Sequence, residues 1–129
     1  MAYLGMPVKD NVMDYKRSDR IADLLQQEIA ELLLRRVKDP RVAGITITGV
    51  DVTSDLQNAK IFYCLMGTHG EQERAHASEG LKKAAGFIRQ ELGRRLYMKH
   101  VPRLDFRYDT SFEYGDKIER LLKKLHEDE

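Results

Sequence analysis

A single cysteine, Cys64, leaves the chain without a partner for an internal disulfide, and its apolar surroundings mark it as a buried thiol. That scarcity fits a reducing compartment, so a cytoplasmic location is expected. No apolar run is long enough, and free enough of charge, to cross a membrane. Residues 1–15 carry Lys9, Asp10 and Asp14 and no sustained apolar stretch, so export through a signal peptide is not expected. His69, His76, His100 and His126 show no pairing at metal-ligand spacing, and no nucleophile motif accompanies them. No metal, cofactor or catalytic residue is therefore expected, although two imidazoles brought together by the fold would suffice for RNA cleavage. Internal repeats and low-complexity segments are absent too.

What is present is a chain of 129 residues, 42% hydrophobic and 33% charged, enough for one folded domain with a modest core. The net charge of +1 conceals an uneven distribution. Between Leu81 and Arg107 stand Lys82, Lys83, Arg89, Arg94, Arg95, Lys99, Arg103 and Arg107 against only Glu91 and Asp105. From Tyr108 onward acidic residues outnumber basic ones, ending in Glu127-Asp128-Glu129. A basic segment inside a near-neutral protein is a candidate surface for a polyanion.

Apolar residues Ile21, Leu24, Leu25, Ile29, Leu32, Leu33 and Val37 recur at helical spacing after Ser18, a candidate N-cap, and Asp39-Pro40 closes that helix. Ile45, Ile47, Val50 and Val52 alternate with polar residues, but the phase shifts across Gly49, which predicts a strand with a bulge. The polar stretch 54–58 then turns the chain into a second strand from Ala59 to Met66, so the two should form an antiparallel hairpin. Ala77, Leu81, Ala84, Ala85, Ile88, Leu92 and Leu96 give a second helical pattern that Gly80, Gly86 and Gly93 interrupt, so a bend or break is expected, with the break placed at Ala84-Ala85-Gly86. After Pro102, Leu104, Phe106 and Tyr108 alternate with charged residues as a third strand. A last helix from about Phe112 carries Ile118, Leu121, Leu122 and Leu125 on one side.

Four segments, Lys16 to Ala22, Asp39 to Val42, Ile47 to Leu56 and Val101 to Asp109, together with Ala84 to Arg89, resemble the ribosome-binding factor A family in order and spacing, over about residues 12 to 122. The resemblance implies an α+β fold of type II KH-like architecture, ordered α-β-β-α-(kink)-α-β plus a C-terminal helix. It implies three parts: an N-terminal extension over 1–15, expected to be mobile; an RNA-binding domain over 16–110; and a C-terminal helix with acidic tail over 111–129. In that family a helix-kink-helix centred on an Ala-x-Gly step replaces the KH glycine loop, and Ala84-Ala85-Gly86 fits it. Gly67-Thr68-His69-Gly70 spells the glycine loop itself but lies between a strand and a helix, and reads as a connecting turn.

The implied activity is that of a non-enzymatic assembly factor, a monomer that binds free small (30S) ribosomal subunits. It would assist late maturation and 5′-end processing of 16S rRNA, near the 5′-terminal helix, without cofactor or membrane. The candidate contacts are Lys82, Lys83, Ala84, Ala85, Gly86, Arg89, Arg94, Arg95, Lys99, His100 and Arg103, where long cationic side chains could reach several phosphates. For the small residues the alternative is simple helix packing, and for the cations a solvated basic face. Arg17, Arg20 and Arg41 stand equally between RNA contact and ion pairing or capping. The competing functions are a general KH-type binder of short single strands, an RNA-processing enzyme, and a protein adaptor using the C-terminal helix.

Overall fold

The computed structural model describes residues 16–65, 70–111 and 121–125. Helix α1 spans Arg17–Arg35 and buries Ala22, Leu25, Ile29, Leu32 and Leu33, the stripe its spacing predicts. It begins two residues earlier than Ser18 implies. Lys16 is the N-cap, its backbone N–H donating to Asp19 Oδ2 at 3.0 Å, while Ser18 is buried inside the first turn. A 3-10 turn follows at Pro40–Val42, capped by the Asp39 carboxylate, which accepts from the Arg41 N–H at 2.9 Å.

Strands β1 (Ile45–Val52) and β2 (Asn58–Leu65) form the antiparallel hairpin, and the register shifts between Ile47 and Gly49 as the phase change requires. Helix α2 (Glu71–Leu96) then crosses over to β3 (Arg103–Tyr108), which pairs parallel with β2. The sheet order is β1-β2-β3. Its inner face presents Ile47, Ala59, Ile61, Tyr63 and Leu65, with Leu104, Phe106 and Tyr108 beside them, to one core shared with Leu25, Ile29 and Leu32 of α1 and Leu81, Ile88 and Leu92 of α2. Each fully buried leucine or isoleucine contributes about 1.5–3 kcal/mol. Tyr63 and Tyr108 meet edge to face at 5.4 Å, and the Tyr108 hydroxyl accepts from the Leu65 N–H at 3.3 Å. Cys64 is buried, in keeping with its apolar surroundings.

The break expected at Ala84-Ala85-Gly86 is corrected: one helix of 26 residues runs through it. Packing explains the difference, because Ala77, Leu81, Ile88 and Leu92 stay buried in one helical phase on both sides of the small residues. Their burial outweighs a cost of about 1 kcal/mol per glycine. Gly80 has a separate reason, since a Cβ there would lie 3.0 Å from both Arg41 Cβ and Val42 Cγ1. It lets α2 pass close to the 3-10 turn.

Residues 110–111 and 121–125 are helical, and Leu121, Leu122 and Leu125 are exposed. Ile118, the extension over 1–15 and Gly67 to His69 lie outside the described residues, while Gly70 is the N-cap of α2. Among the described residues no helix is long and apolar enough to cross a membrane.

Candidate nucleic-acid interface

Each residue advances an α-helix by about 100°, so the basic segment of α2 is distributed around its axis. Lys82, Gly86 and Arg89 follow one stripe, and Lys83, Phe87, Gln90 and Arg94 follow another, with the buried face of Leu81, Ile88 and Leu92 between them. Lys82, Lys83 and Gly86 are exposed, and Ala84 and Ala85 are half-buried. A Cβ on Gly86 would meet nothing within 4 Å, so open space lies over the middle of the helix.

The arginines are partly committed within the fold. Arg89 donates to the carbonyls of Val101 at 2.9 Å and Pro102 at 3.3 Å, tying the chain after α2 to the helix. Arg95 bridges to α1, donating to Glu28 at 3.0 Å and Glu31 at 2.9 Å. The hydrogen bond from Arg95 holds the Glu31 carboxyl below its usual range, and donating to Glu31 and Glu28 raises the Arg95 pKa. Arg94 shares the buried carboxylate of Glu91 with Arg36 of the α1 C-cap, at 3.4 and 3.6 Å. Arg41 chelates Asp39, with Nη2 2.6 Å from Oδ2, and reaches Glu79 at 3.1 Å. Asp39 is held down to about 2 by these bonds. Arg41 is thus an ion-pairing residue, whereas Arg17 and Arg20 are exposed at the start of α1.

Lys99 and His100 are exposed on the loop after α2. Arg103 is exposed at the start of β3, where the alternation with Leu104, Phe106 and Tyr108 turns it to the sheet face opposite the helices. The fold therefore gathers Lys82, Lys83, Arg94, Lys99 and His100 around the outward side of α2 and its C-terminus, and sets Arg103 apart.

Two exposed aromatics join this surface without having been singled out in the sequence. Phe87 is 37% exposed on the stripe of Lys83 and Arg94, with the Arg36 guanidinium 5.8 Å from its ring centroid. Tyr97, 94% exposed, caps α2 in the left-handed conformation at φ 54°, a place more often filled by glycine or asparagine. The signal for Phe87 was its helical phase, a third of a turn away from Ile88. Arg36 and Lys38, at the end of α1, also complement the helix dipole.

The family model described as ribosome-binding factor A matches residues 17–122. A ribosome-binding factor A of Syntrophobacter fumaroxidans is 62% identical over 91% of this chain and 100% of its own length. One from Pediococcus pentosaceus is 50% identical over 87% of this chain and 96% of its own. Among solved structures, the crystal structure of the Thermus thermophilus ribosome-binding factor A aligns with TM-score 0.62 at 23% identity, over 70% of this chain and 93% of that one. A Thermotoga maritima protein solved by NMR as a putative ribosome-binding factor A aligns with TM-score 0.62 at 25% identity, over 72% and 87%. A homology model of the Thermus thermophilus factor, fitted into the cryo-EM map of its complex with the 30S subunit, aligns with TM-score 0.54 at 24% identity, over 69% and 91%.

Proposed function

The chain belongs to the ribosome-binding factor A family, and from that premise we propose that it is a non-enzymatic assembly factor for the small ribosomal subunit. It acts as a cytoplasmic monomer that binds free 30S subunits near the 5′-terminal helix of 16S rRNA and assists late maturation, including that of the 5′ end. The observation that carries this reading is the family match across residues 17–122. The Thermus thermophilus relative described in complex with the 30S subunit supports it.

The fold is read as a KH-like domain over 16–110, with helices on one side of a mixed three-stranded sheet, followed by a C-terminal helix and acidic tail over 111–129 and preceded by an extension over 1–15. Lys82, Lys83, Arg94, Lys99, His100 and Arg103 contact phosphates, and the open space above Ala84, Ala85 and Gly86 lets the RNA backbone approach α2. Arg89 and Arg95 contribute by holding the loop and α1 in place behind that surface. Binding favours one RNA arrangement over its competitors by its differential affinity for the two, which requires no cofactor.

The test is cosedimentation of the full chain with isolated small subunits, large subunits and whole ribosomes at two salt concentrations. Binding confined to free small subunits is expected. The Lys82→Gln/Lys83→Gln pair should lower the logarithmic salt slope by roughly 1.4 to 1.8, two phosphates at about 0.7 to 0.9 each. Equal binding to every particle, or cleavage of precursor RNA by the protein alone, would sink the reading.

A further inference from the structure

The groove beside Phe87 has a chemistry that phosphate contacts do not use. It is an open depression of about 510 Å³ between the end of α1, residues 37–41 and the middle of α2. Its lining combines an apolar part, from Val37, Pro40, Ala84 and Phe87, with the cations Arg36, Lys38, Arg41 and Lys83 and the carboxylate of Asp39. An aromatic ring at a helix position is ordinarily turned inward, yet here Ile88 takes the core position and Phe87 stays partly exposed.

The carboxylates nearest the groove are already engaged. Asp39 binds Arg41 through Nε at 3.0 Å and Nη2 at 2.6 Å, and Glu91 is shared between Arg36 and Arg94. Lys38 and Lys83 are exposed and make no ion pair among the described residues. An apolar aromatic floor with a positive rim matches a flat, uncharged ring attached to a polyanionic backbone, the combination by which aromatic side chains in basic grooves hold unpaired nucleotides. An acidic protein segment would satisfy the rim but would leave the ring without a planar partner.

Resting on the assembly-factor reading, we propose that Phe87 is a stacking platform for one unpaired nucleobase of the bound RNA, with Lys38 and Lys83 holding the phosphates that flank it. Arg36, drawn toward Glu91 and over the ring, keeps the edge of the platform in place. The bound site thereby requires a nucleotide outside a helix, whereas the stripe of Lys82 and the loop of Lys99 would accept duplex or single strand alike.

The chain contains no tryptophan, so Phe87→Trp supplies a single fluorescent reporter at the platform itself. Full-length wild type, Phe87→Leu and Phe87→Trp would be titrated with purified small subunits at several salt concentrations, their helix content checked by circular dichroism. Stacking predicts quenched emission from Phe87→Trp and an affinity loss of about fivefold or more for Phe87→Leu, with no change in salt slope. Lys38→Gln and Lys83→Gln should each lower that slope by about 0.7 to 0.9. Wild-type affinity in Phe87→Leu while the wild type itself binds small subunits would overturn the platform and leave the assembly role standing. A blue shift without quenching would place a ribosomal protein against the ring and also overturn it. Failure of the wild type to bind small subunits would instead remove the functional reading, and the platform with it.

Discussion

The inward and outward sides of α2 carry the same kinds of residue and use them differently. Three arginines are spent on the fold: Arg95 on Glu28 and Glu31, Arg89 on two carbonyls, and Arg41 across from the helix on Asp39 and Glu79. Outward stand Lys82 and Lys83, exposed, and Phe87 with its ring partly exposed. The division follows chemistry as well as position. A guanidinium offers several donors in a fixed plane and can satisfy two acceptors at once, whereas an ammonium stays hydrated and remains available to a phosphate. An acceptor within reach, more than net charge or helical phase, separates the cations held within the fold from those left in solvent, since Lys82 and Arg89 share one stripe of α2.

The sharpest way to break this comparison is to alter neighbouring residues on opposite sides. Ile88 is fully buried and Phe87 is 37% exposed. Ile88→Ala should cost about 2–5 kcal/mol of stability. Phe87→Leu, on the surface, should stay within about 0.5 kcal/mol of wild type. Urea unfolding of both measures the contrast, and comparable losses would mean that the two sides are not distinct. Gly80→Ala comes next. The added methyl meets Arg41 Cβ and Val42 Cγ1 at 3.0 Å, and Val42, 2% exposed, has little room to yield. Overpacking should outweigh the gain in helix propensity and leave a net loss of about 1 kcal/mol. Stability equal to or above that of wild type would show that the turn and α2 are not in close contact.

Much of the architecture was readable in advance because it rests on local periodicity. The buried stripe of α1, the phase change at Gly49 and the alternation of Leu104, Phe106 and Tyr108 each specify a face without reference to the rest of the chain. The continuity of α2 was not readable, since local propensity at Gly86 favours interruption and only the burial of Ile88 and Leu92 beyond it restores the helix. The candidate site was legible as a list of cations but not as an arrangement. Whether Arg95 meets a phosphate or Glu31 depends on a partner 64 residues away, which no sequence window contains. Phe87 was passed over because it falls outside the apolar stripe of Leu81, Ile88 and Leu92, and nothing in the sequence says what an off-stripe aromatic packs against.

A smaller effect of opposite sign sharpens the contrast between glycines. Gly86 faces open space, so Gly86→Ala removes backbone freedom from the unfolded chain and introduces no clash. A gain of about 0.5–1 kcal/mol in unfolding free energy is expected. A loss would mean that α2 needs a bend at this point which alanine cannot make. If stability rises while affinity for small subunits falls, the space above Gly86 is occupied in the complex, as close approach of the RNA backbone requires.

The smallest expected effect concerns how each side answers to solution conditions. The contribution of the outward cations is read through salt. The inward pair of Asp39 and Arg41 is read through pH, because hydrogen bonds from Arg41 lower the Asp39 carboxyl from 3.8 to about 2. A carboxyl that is more acidic when folded stabilises the native state fully above its unfolded value and loses that contribution as pH falls toward the folded one. The stability difference between wild type and Asp39→Asn should therefore be constant above pH 4 and close progressively between 3.8 and about 2, measured by urea midpoints across that range. A gap that persists unchanged to pH 2 would show that the pair does not form in solution. The turn that seats α2 over Gly80 would then be held by the packing of Val42 alone.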